Sequence, residues 1–321
     1  MVPPCKLSVI VPCYNEEASV AELHRRVTAA CQAAVGSDYE LVLVNDGSRD
    51  GTWNRLAALA AADPHLRCVD LTRNYGHQCA VTAGLALCRG ERVLLLDADL
   101  QDPPELLPAM LAKMDEGFDV VYGQRRSRDG DGVFKRATAA LFYRLLRRLA
   151  DVDIPQDTGD FRLMRRTVVE ALNALPEQHR FVRGMVAWVG FRQTAVTYDR
   201  EQRRAGETHY PFWKMASLAI DAITSFSIVP LRLIVTLAGL TFLASLGLMV
   251  YVAVSWAYFN AVQGWTSLIS VVLFLGSVQL LSLGIIGEYV GRTFIESKRR
   301  PAYLIREVLQ AGSEQPVASR E

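Results

Sequence analysis

Between Arg232 and Glu288 the chain carries no Asp, Glu, Lys, Arg or His: residues 233–287, 55 in all. No soluble domain needs an apolar run of that length. A bilayer crossing takes about 20 helical residues at ~1.5 Å rise each, so the stretch fits two spans and a short turn. The spans are expected at 233–258 and 265–287, with Gln263-Gly264 at the turn. The turn lacks Lys and Arg, whereas Lys214, Arg232, Arg292 and Lys298-Arg299-Arg300 flank the outer ends. The positive-inside rule then puts both termini and the large N-terminal part in the cytoplasm. Trp256, Tyr258 and Trp265 suit an aromatic belt at the far interface.

The rest of the 321 residues is nearly neutral, with a formal net charge of +1, which excludes non-specific nucleic-acid binding as a function. All six cysteines fall within the first 88 residues and none forms a C-x-x-C pair, so reduced thiols are expected rather than disulfides or zinc. Lys6 precedes an apolar run too short for a leader sequence, and none is expected.

Before the spans, apolar β-branched runs alternate with segments of helical spacing. Strands are expected at Lys6–Val11, Tyr39–Val44, Leu66–Leu71, Arg92–Leu96 and Asp119–Tyr122, with Pro12 closing the first. Helices are expected at 16–35, 51–62 and 76–89. Such alternation implies βαβ units and a mainly parallel sheet, whose ligands bind beyond the carboxyl ends of the strands. Pro12-Cys13-Tyr14-Asn15-Glu16, Asn45-Asp46-Gly47 and Asp97-Ala98-Asp99 all fall at such ends.

Residues 125–148 hold eight Lys or Arg against two Asp. Phe134, Leu141, Phe142, Leu145 and Leu149 share one helical face there, away from Arg136, Arg144, Arg147 and Arg148. The pattern suits a helix lying on an anionic membrane surface, or equally one packed on the domain. Residues 209–226 read as a second interfacial helix, and the tail beyond Glu307 as polar and mobile.

Neither G-x-G-x-x-G nor a Walker lysine loop follows the first strand, which removes the main support for a dehydrogenase or P-loop reading. The strand ends offer carboxylates instead. Along an extended chain Asp97 and Asp99 project to one face, and Gln101 adds a neutral oxygen. Hard oxygen ligands of this kind suit Mg²⁺ or Mn²⁺ shared with substrate phosphates. Asp102, ahead of Pro103 and Pro104, reads as the cap of a helix start. Asp46 reads either as a ligand group or as a helix cap. His77 and His209 read as capping or packing residues in preference to donor contacts.

Five blocks in order, Val9-Ile-Val-Pro-Cys-Tyr-Asn-Glu16, Val44-Asn-Asp-Gly-Ser48, Asp97-Ala-Asp-Leu-Gln-Asp-Pro-Pro-Glu105, Asp157-Thr-Gly-Asp-Phe-Arg-Leu-Met164 and Arg203-Arg-Ala-Gly-Glu-Thr208, resemble the polyisoprenyl-phosphate glycosyltransferases of family 2. The resemblance runs from about Lys6 to Arg300 and is strongest to the bactoprenol glucosyltransferases. It implies a GT-A fold: a Rossmann-like, mixed but mainly parallel sheet flanked by helices, here followed by a transmembrane hairpin. The implied domains are a catalytic domain at 1–208, an interfacial helix at 209–231, the hairpin at 232–290 and a tail at 291–321.

The resemblance also implies a nucleotide-sugar donor, a divalent metal (Mg²⁺ or Mn²⁺), a polyisoprenyl phosphate acceptor and the bacterial inner membrane. By position, Pro12, Tyr14, Glu16, Asp46, Asp97 and Arg203 would line the donor site. Asp99 and Gln101 would hold the metal. Asp97, Asp99, Asp157 and Asp160 would form the catalytic set, with Asp157 and Asp160 facing sugar and acceptor. Arg125, Arg126 and Arg162 would meet the acceptor phosphate, Arg162 also holding its loop. Relatives imply a tetramer, on which the spacing is silent.

UDP-glucose is the donor the Asp157–Arg162 block favours. GDP-mannose, UDP-galactose, UDP-N-acetylglucosamine and formylated aminoarabinose stay open, as does a catalytically degenerate membrane scaffold. A processive polysaccharide synthase is disfavoured, because two helices enclose no channel and Gln178 and Trp188 are too far apart for a Q-x-x-R-W motif.

Overall fold

Strands β1 (Leu7–Cys13) and β2 (Tyr39–Asn45) are buried along their whole length. Burial on both faces marks them as the centre of a parallel sheet covered by helices. The computed structural model describes residues 5–126, 158–178, 180–199, 227–259, 264–310 and 313–314. Helices α1 (Val20–Val35), α2 (Thr52–Ala62) and α3 (His77–Leu87) return the chain between β1, β2, β3 (Leu66–Leu71) and β4 (Arg92–Leu95). In α1, Val20, Leu23, Val27, Ala30 and Cys31 are buried, the i, i+3, i+7 stripe its spacing predicts. Helix α3 lies so close to β1 that a Cβ on Gly84 would meet the Ile10 methyl at 2.3 Å.

A short 3₁₀ turn (Pro104–Leu106) leads into α4 (Leu107–Asp115), followed by β5 (Val120–Arg125), β6 (Thr158–Arg165), α5 (Arg166–Ala174), α6 (Val182–Trp188) and β7 (Gln193–Tyr198). Beyond the apolar helices come β8 (Ile305–Gln310) and β9 (Ser313–Glu314). The nine strands run in the order β7-β5-β6-β4-β1-β2-β3-β8-β9. Strands β4-β1-β2-β3 pair in parallel, and antiparallel β6 and β8 flank them. Strand β1 has β2 on one side and β4 on the other, so the chain reverses direction across the sheet there. The crevice of such a sheet opens at the carboxyl ends of those two strands.

Three expectations need correction. Pro12 does not end β1: it lies within the strand, in register with Val44. Thr158–Arg165 is a strand, inserted between β4 and β5, where a loop motif was read. The polar tail begins as β8, paired with β3 through Gln310. Only the two-residue β9 lies outside this strand and much of its surface meets solvent, so its sequence lacks the apolar run of a central strand.

A second unit contains α7 (Val229–Phe259) and α8 (Trp265–Ser297). Mean hydropathy is 2.3 over Val229–Tyr251 and 1.3 over Phe274–Ser297. Helices of 31 and 33 residues span ~46–50 Å, more than the ~30 Å apolar layer of a bilayer. Leu240, Phe242, Met249, Phe274 and Leu280 are exposed. The hydroxyls of Thr236, Thr241, Ser245 and Ser282 donate to carbonyls one turn back, which satisfies them without water. The expected interfacial helices, at 125–148 after Arg126 and at 209–226, lie outside the described residues.

Candidate active site

Two turns meet at the ends of β1 and β2. The Asp46 N–H donates to Cys13 O at 2.9 Å and the Asn15 N–H to the Ser48 hydroxyl at 3.0 Å. The Arg49 N–H donates to Asn15 Oδ1 at 2.9 Å, and Asn15 adopts a left-handed φ of 55°. Pro12, Tyr14, Glu16 and Asp46 are thereby gathered at one edge. Tyr14 is exposed there. The Glu16 N–H donates to Thr52 Oγ1, and its carboxylate accepts from the Ser19 hydroxyl. Asp46 is buried and caps the entry to α3: its two oxygens accept the N–H groups of Tyr75 at 2.7 Å and Gly76 at 2.9 Å. Burial raises its pKa against the pull of those two bonds.

The β4 end is arranged differently from the expectation. The strand stops at Leu95 and the chain turns at Ala98–Asp99, so the period-two alignment of an extended chain does not apply. Leu100 is buried with φ 54°, a left-handed residue between the two expected metal ligands. Asp99 Oδ1 accepts the Gln101 N–H at 3.1 Å, and Gln101 is buried.

Asp97 belongs to a cluster with His77 and Asp160, whose ligating atoms lie within 4.8 Å of one another. His77 Nε2 is 2.9 Å from Asp160 Oδ2 and 3.6 Å from Asp97 Oδ1. Asp160, on β6, is 2 % exposed. From the first turn of α6, Arg183 Nε donates to its Oδ1 at 2.6 Å. Gln78 ties the two helices together, donating to Asp160 at 3.4 Å and accepting the Val182 N–H at 2.9 Å.

The charges sort by these contacts. Burial alone would raise Asp160, but Arg183 and His77 outweigh it and hold the carboxyl far below its ordinary range. Burial likewise opposes the imidazolium of His77, yet Asp160 and Asp97 keep its pKa above the ordinary value. Asp97 lacks a strong partner. Burial first, and then repulsion from Asp160, push it up to about 6. Its Oδ1 is buried and has no hydrogen-bond partner among the described residues.

Asp102 does not cap the helix that follows. It is 1 % exposed, accepts from the Tyr198 hydroxyl on β7, and lies 3.6 Å from Arg125. Burial and this carboxylate raise the Tyr198 pKa. Gly159 leaves room for the group: a Cβ there would sit 3.2 Å from the Arg125 guanidinium. Tyr198→Phe should cost about 1–2 kcal/mol in chemical unfolding, because Asp102 loses a donor it cannot replace with water.

Arg126 is exposed, with a loose 3.8 Å pair to Asp199. Arg162 is buried and directs two donors at the carbonyls of Asp160 and Gly159, at 3.3 and 3.0 Å. That contact holds the chain at Asp160. Asp157 and Arg203 lie outside the described residues. His77 carries more of the site than its sequence context suggested, and Arg183 was missed altogether. Neither sits in a recognisable motif, and Arg183 reaches Asp160 from another element.

Residues 8–172, slightly more than half of the chain, match the family model "Glycosyl transferase family 2". The chain belongs to glycosyltransferase family 2. Residues 229–293 match the "GtrB C-terminal hairpin", which covers most of α7 and α8 in this glycosyltransferase. The enzyme is 41% identical over 308 residues to the bactoprenol glucosyl transferase of Shigella phage SfV, covering 95% of this chain and 99% of the relative. It is 40% identical over 309 residues to the prophage bactoprenol glucosyl transferase homolog of Escherichia coli (strain K12), covering 94% and 99%. Identity is 45% over 302 residues to the uncharacterized glycosyltransferase YkcC of Bacillus subtilis (strain 168), covering 94% and 93%. Among solved structures, glucosyl-3-phosphoglycerate synthase from Mycobacterium tuberculosis with Mn²⁺, UDP and phosphoglyceric acid aligns at TM-score 0.48 and 20% identity, covering 68% of this chain and 76% of that one. As a family 2 match, the mixed sheet of this enzyme is the GT-A-like domain the motifs led us to expect, followed by two apolar helices long enough to form a membrane hairpin.

Proposed function

We propose that this glycosyltransferase moves glucose from UDP-glucose to undecaprenyl phosphate at the cytoplasmic face of the bacterial inner membrane, inverting the anomeric centre in a single displacement. The observation that carries the reading is the His77–Asp97–Asp160 cluster, built on the buried Asp160, at the switch point of a family 2 chain that carries an apolar hairpin. The bactoprenol glucosyl transferase names of relatives aligned over nearly the whole chain support both acceptor and sugar. Residues 1–208 form the catalytic domain in this reading, 209–231 its interfacial helix, 232–290 the hairpin and 291–321 the C-terminal segment. The lysines and arginines outside the spans support cytoplasmic termini.

Asp46, Tyr14, Glu16, Pro12 and Arg203 would line the nucleotide side, and Asp97 would face the donor. The polar groups beside them suit Mg²⁺ or Mn²⁺: Asp99 and Gln101 provide hard oxygens, and Asp97 adds the buried oxygen that lacks a partner. When bound, the cation offsets negative charge developing on the departing nucleoside diphosphate. Arg125 and Arg126 would bind the acceptor phosphate. A phosphate monoester has a second pKa of about 6 and is largely ionised at neutral pH, so it attacks without a strong general base. Asp160 suits that chemistry, because a carboxylate held by Arg183 and His77 is a poor proton acceptor and a good fixed anion. It orients the sugar through His77, and Asp157 would serve the same sugar and acceptor as the family resemblance implies.

Purified full-length protein should transfer radiolabelled glucose from UDP-glucose to undecaprenyl phosphate, with EDTA abolishing transfer and Mg²⁺ or Mn²⁺ restoring it. Faster transfer from GDP-mannose, UDP-galactose or UDP-N-acetylglucosamine would reassign the sugar. No transfer from any of them would point to a degenerate scaffold.

A further inference from the structure

The residues that follow α8 rejoin the sheet at the end where the donor turns lie. Strand β8 runs antiparallel to β3, with Glu307 opposite Asp70, Ile305 opposite Leu71 and an irregularity between them. Three contacts gather there. The Thr72 N–H donates to Leu304 O at 3.0 Å. Arg306 donates through Nη2 to Thr72 O at 2.7 Å and through Nη1 to Asp70 Oδ2 at 2.8 Å.

Two routes lead from Arg306 to the donor side. The first passes through side chains. Asp70 is 1 % exposed, and its Oδ1 accepts from Asn45 Nδ2 at 2.6 Å. Asn45 Oδ1 accepts the Ser48 N–H at 3.3 Å, and the Ser48 hydroxyl accepts from Asn15. The second follows the backbone, for Thr72 opens the segment 72–76 that leads into α3 at His77. The opposite side of that segment is fixed by the turn after β2: Asp46 holds the N–H groups of Tyr75 and Gly76. Gly47, at φ 60°, comes so close that a Cβ would sit 2.4 Å from the Arg73 carbonyl carbon. Segment 72–76 is therefore clasped between the Asn45–Ser48 turn and the C-terminal strand.

We propose that Arg306 is a positioning residue for the nucleotide-sugar donor, holding segment 72–76 and the Asn45–Ser48 turn in place through Asp70 and Thr72. The inference rests on the donor reading above, and it concerns a residue outside both family-matched segments. Arg306 is 58 % exposed, so it does not act as a core ion pair; its effect lies in two directed bonds.

The test compares full-length Arg306→Ala, Arg306→Lys and, as a control, the exposed Arg300→Ala with wild type. It reads donor and acceptor kinetics with UDP-glucose and undecaprenyl phosphate, UDP affinity by calorimetry, and tryptic cleavage after Arg73. Arg306→Ala should raise the donor KM and the UDP Kd about tenfold, as expected for loss of a half-exposed charge-assisted bond. It should speed cleavage after Arg73 and leave kcat and the acceptor KM within about twofold. Arg306→Lys, which reaches Asp70 but cannot also span to Thr72, should recover part of the affinity. A donor KM and an Arg73 cleavage rate both unchanged in Arg306→Ala would overturn the inference, as would equal losses against donor and acceptor. A wild type that neither binds UDP nor turns over would sink the donor reading instead, and the cleavage rate at Arg73 would still report on the clasp.

Discussion

Asp160→Asn should both stop transfer and loosen the domain. The substitution leaves Arg183 and His77 aimed at a neutral amide, with Arg162 buried beside them. Removing one partner from a fully buried ion pair costs about 3–5 kcal/mol. Arg183 and His77 keep part of their surface in water, so about 2–4 kcal/mol is the appropriate expectation here. Chemical unfolding of the detergent-solubilised protein would measure it. The linkage has a definite sign. The folded pKa of Asp160 is depressed, so its stabilisation is present above the ordinary carboxylate range and fades as pH falls through the folded value. Wild type and variant should therefore converge only in strong acid. Turnover should fall by about a thousandfold or more, on the scale of losing a preorganised electrostatic element. A variant with full stability and tenfold-reduced activity would refute the role given to Asp160.

Asp97→Asn should stop transfer as well, yet leave the protein more stable. Burial and the nearby Asp160 carboxylate lift the Asp97 pKa to about 6, so the folded state prefers this group uncharged. At neutral pH the ionised form opposes folding, and an isosteric amide relieves it by about 1–2 kcal/mol, using ~1.4 kcal/mol per pKa unit and discounting for partial exposure. In EDTA the variant should melt later than wild type at pH 7.5. The gap should narrow as pH falls through about 6 and close only below the ordinary carboxylate value of 3.8, where Asp97 is protonated in the unfolded state as well as the folded one. Opposite stability changes with the same loss of activity would separate a tethering carboxylate from a strained, substrate-facing one. A destabilised Asp97→Asn would show that the carboxylate has a structural partner.

Much of this site was readable because it is local. Leu7–Cys13, Tyr39–Asn45 and Leu66–Leu71 announce themselves as buried parallel strands, and the turns after them bring their polar residues to one edge by topology alone. The 55 uncharged residues made α7 and α8 equally plain. What escaped reading depends on distant partners. Asp102 looked like a cap because two prolines follow it, but its partner Tyr198 is 96 residues away. Arg183 and Arg306 are single arginines whose meaning appears only when α6 meets β6 and β8 meets β3. The Asp97–Asp99 pair was assigned for the right strand end with the wrong geometry. A left-handed Leu100 and a strand ending at Leu95 replace the extended chain that a two-residue repeat presumes.

The pairing of β8 with β3 also dictates an order of events during synthesis. Thr72 and Arg306 are 234 positions apart, and both apolar helices are made between them. At the usual ~5–20 residues per second, roughly 12–47 s separate the emergence of β3 from that of its partner strand. Throughout that interval β3 is an open edge with unpaired backbone groups, a template for pairing with other chains. Both apolar helices must be synthesised before the edge can close. Nascent chains stalled before Ile305 emerges, and chains truncated there, share the same exposed edge and should aggregate through it.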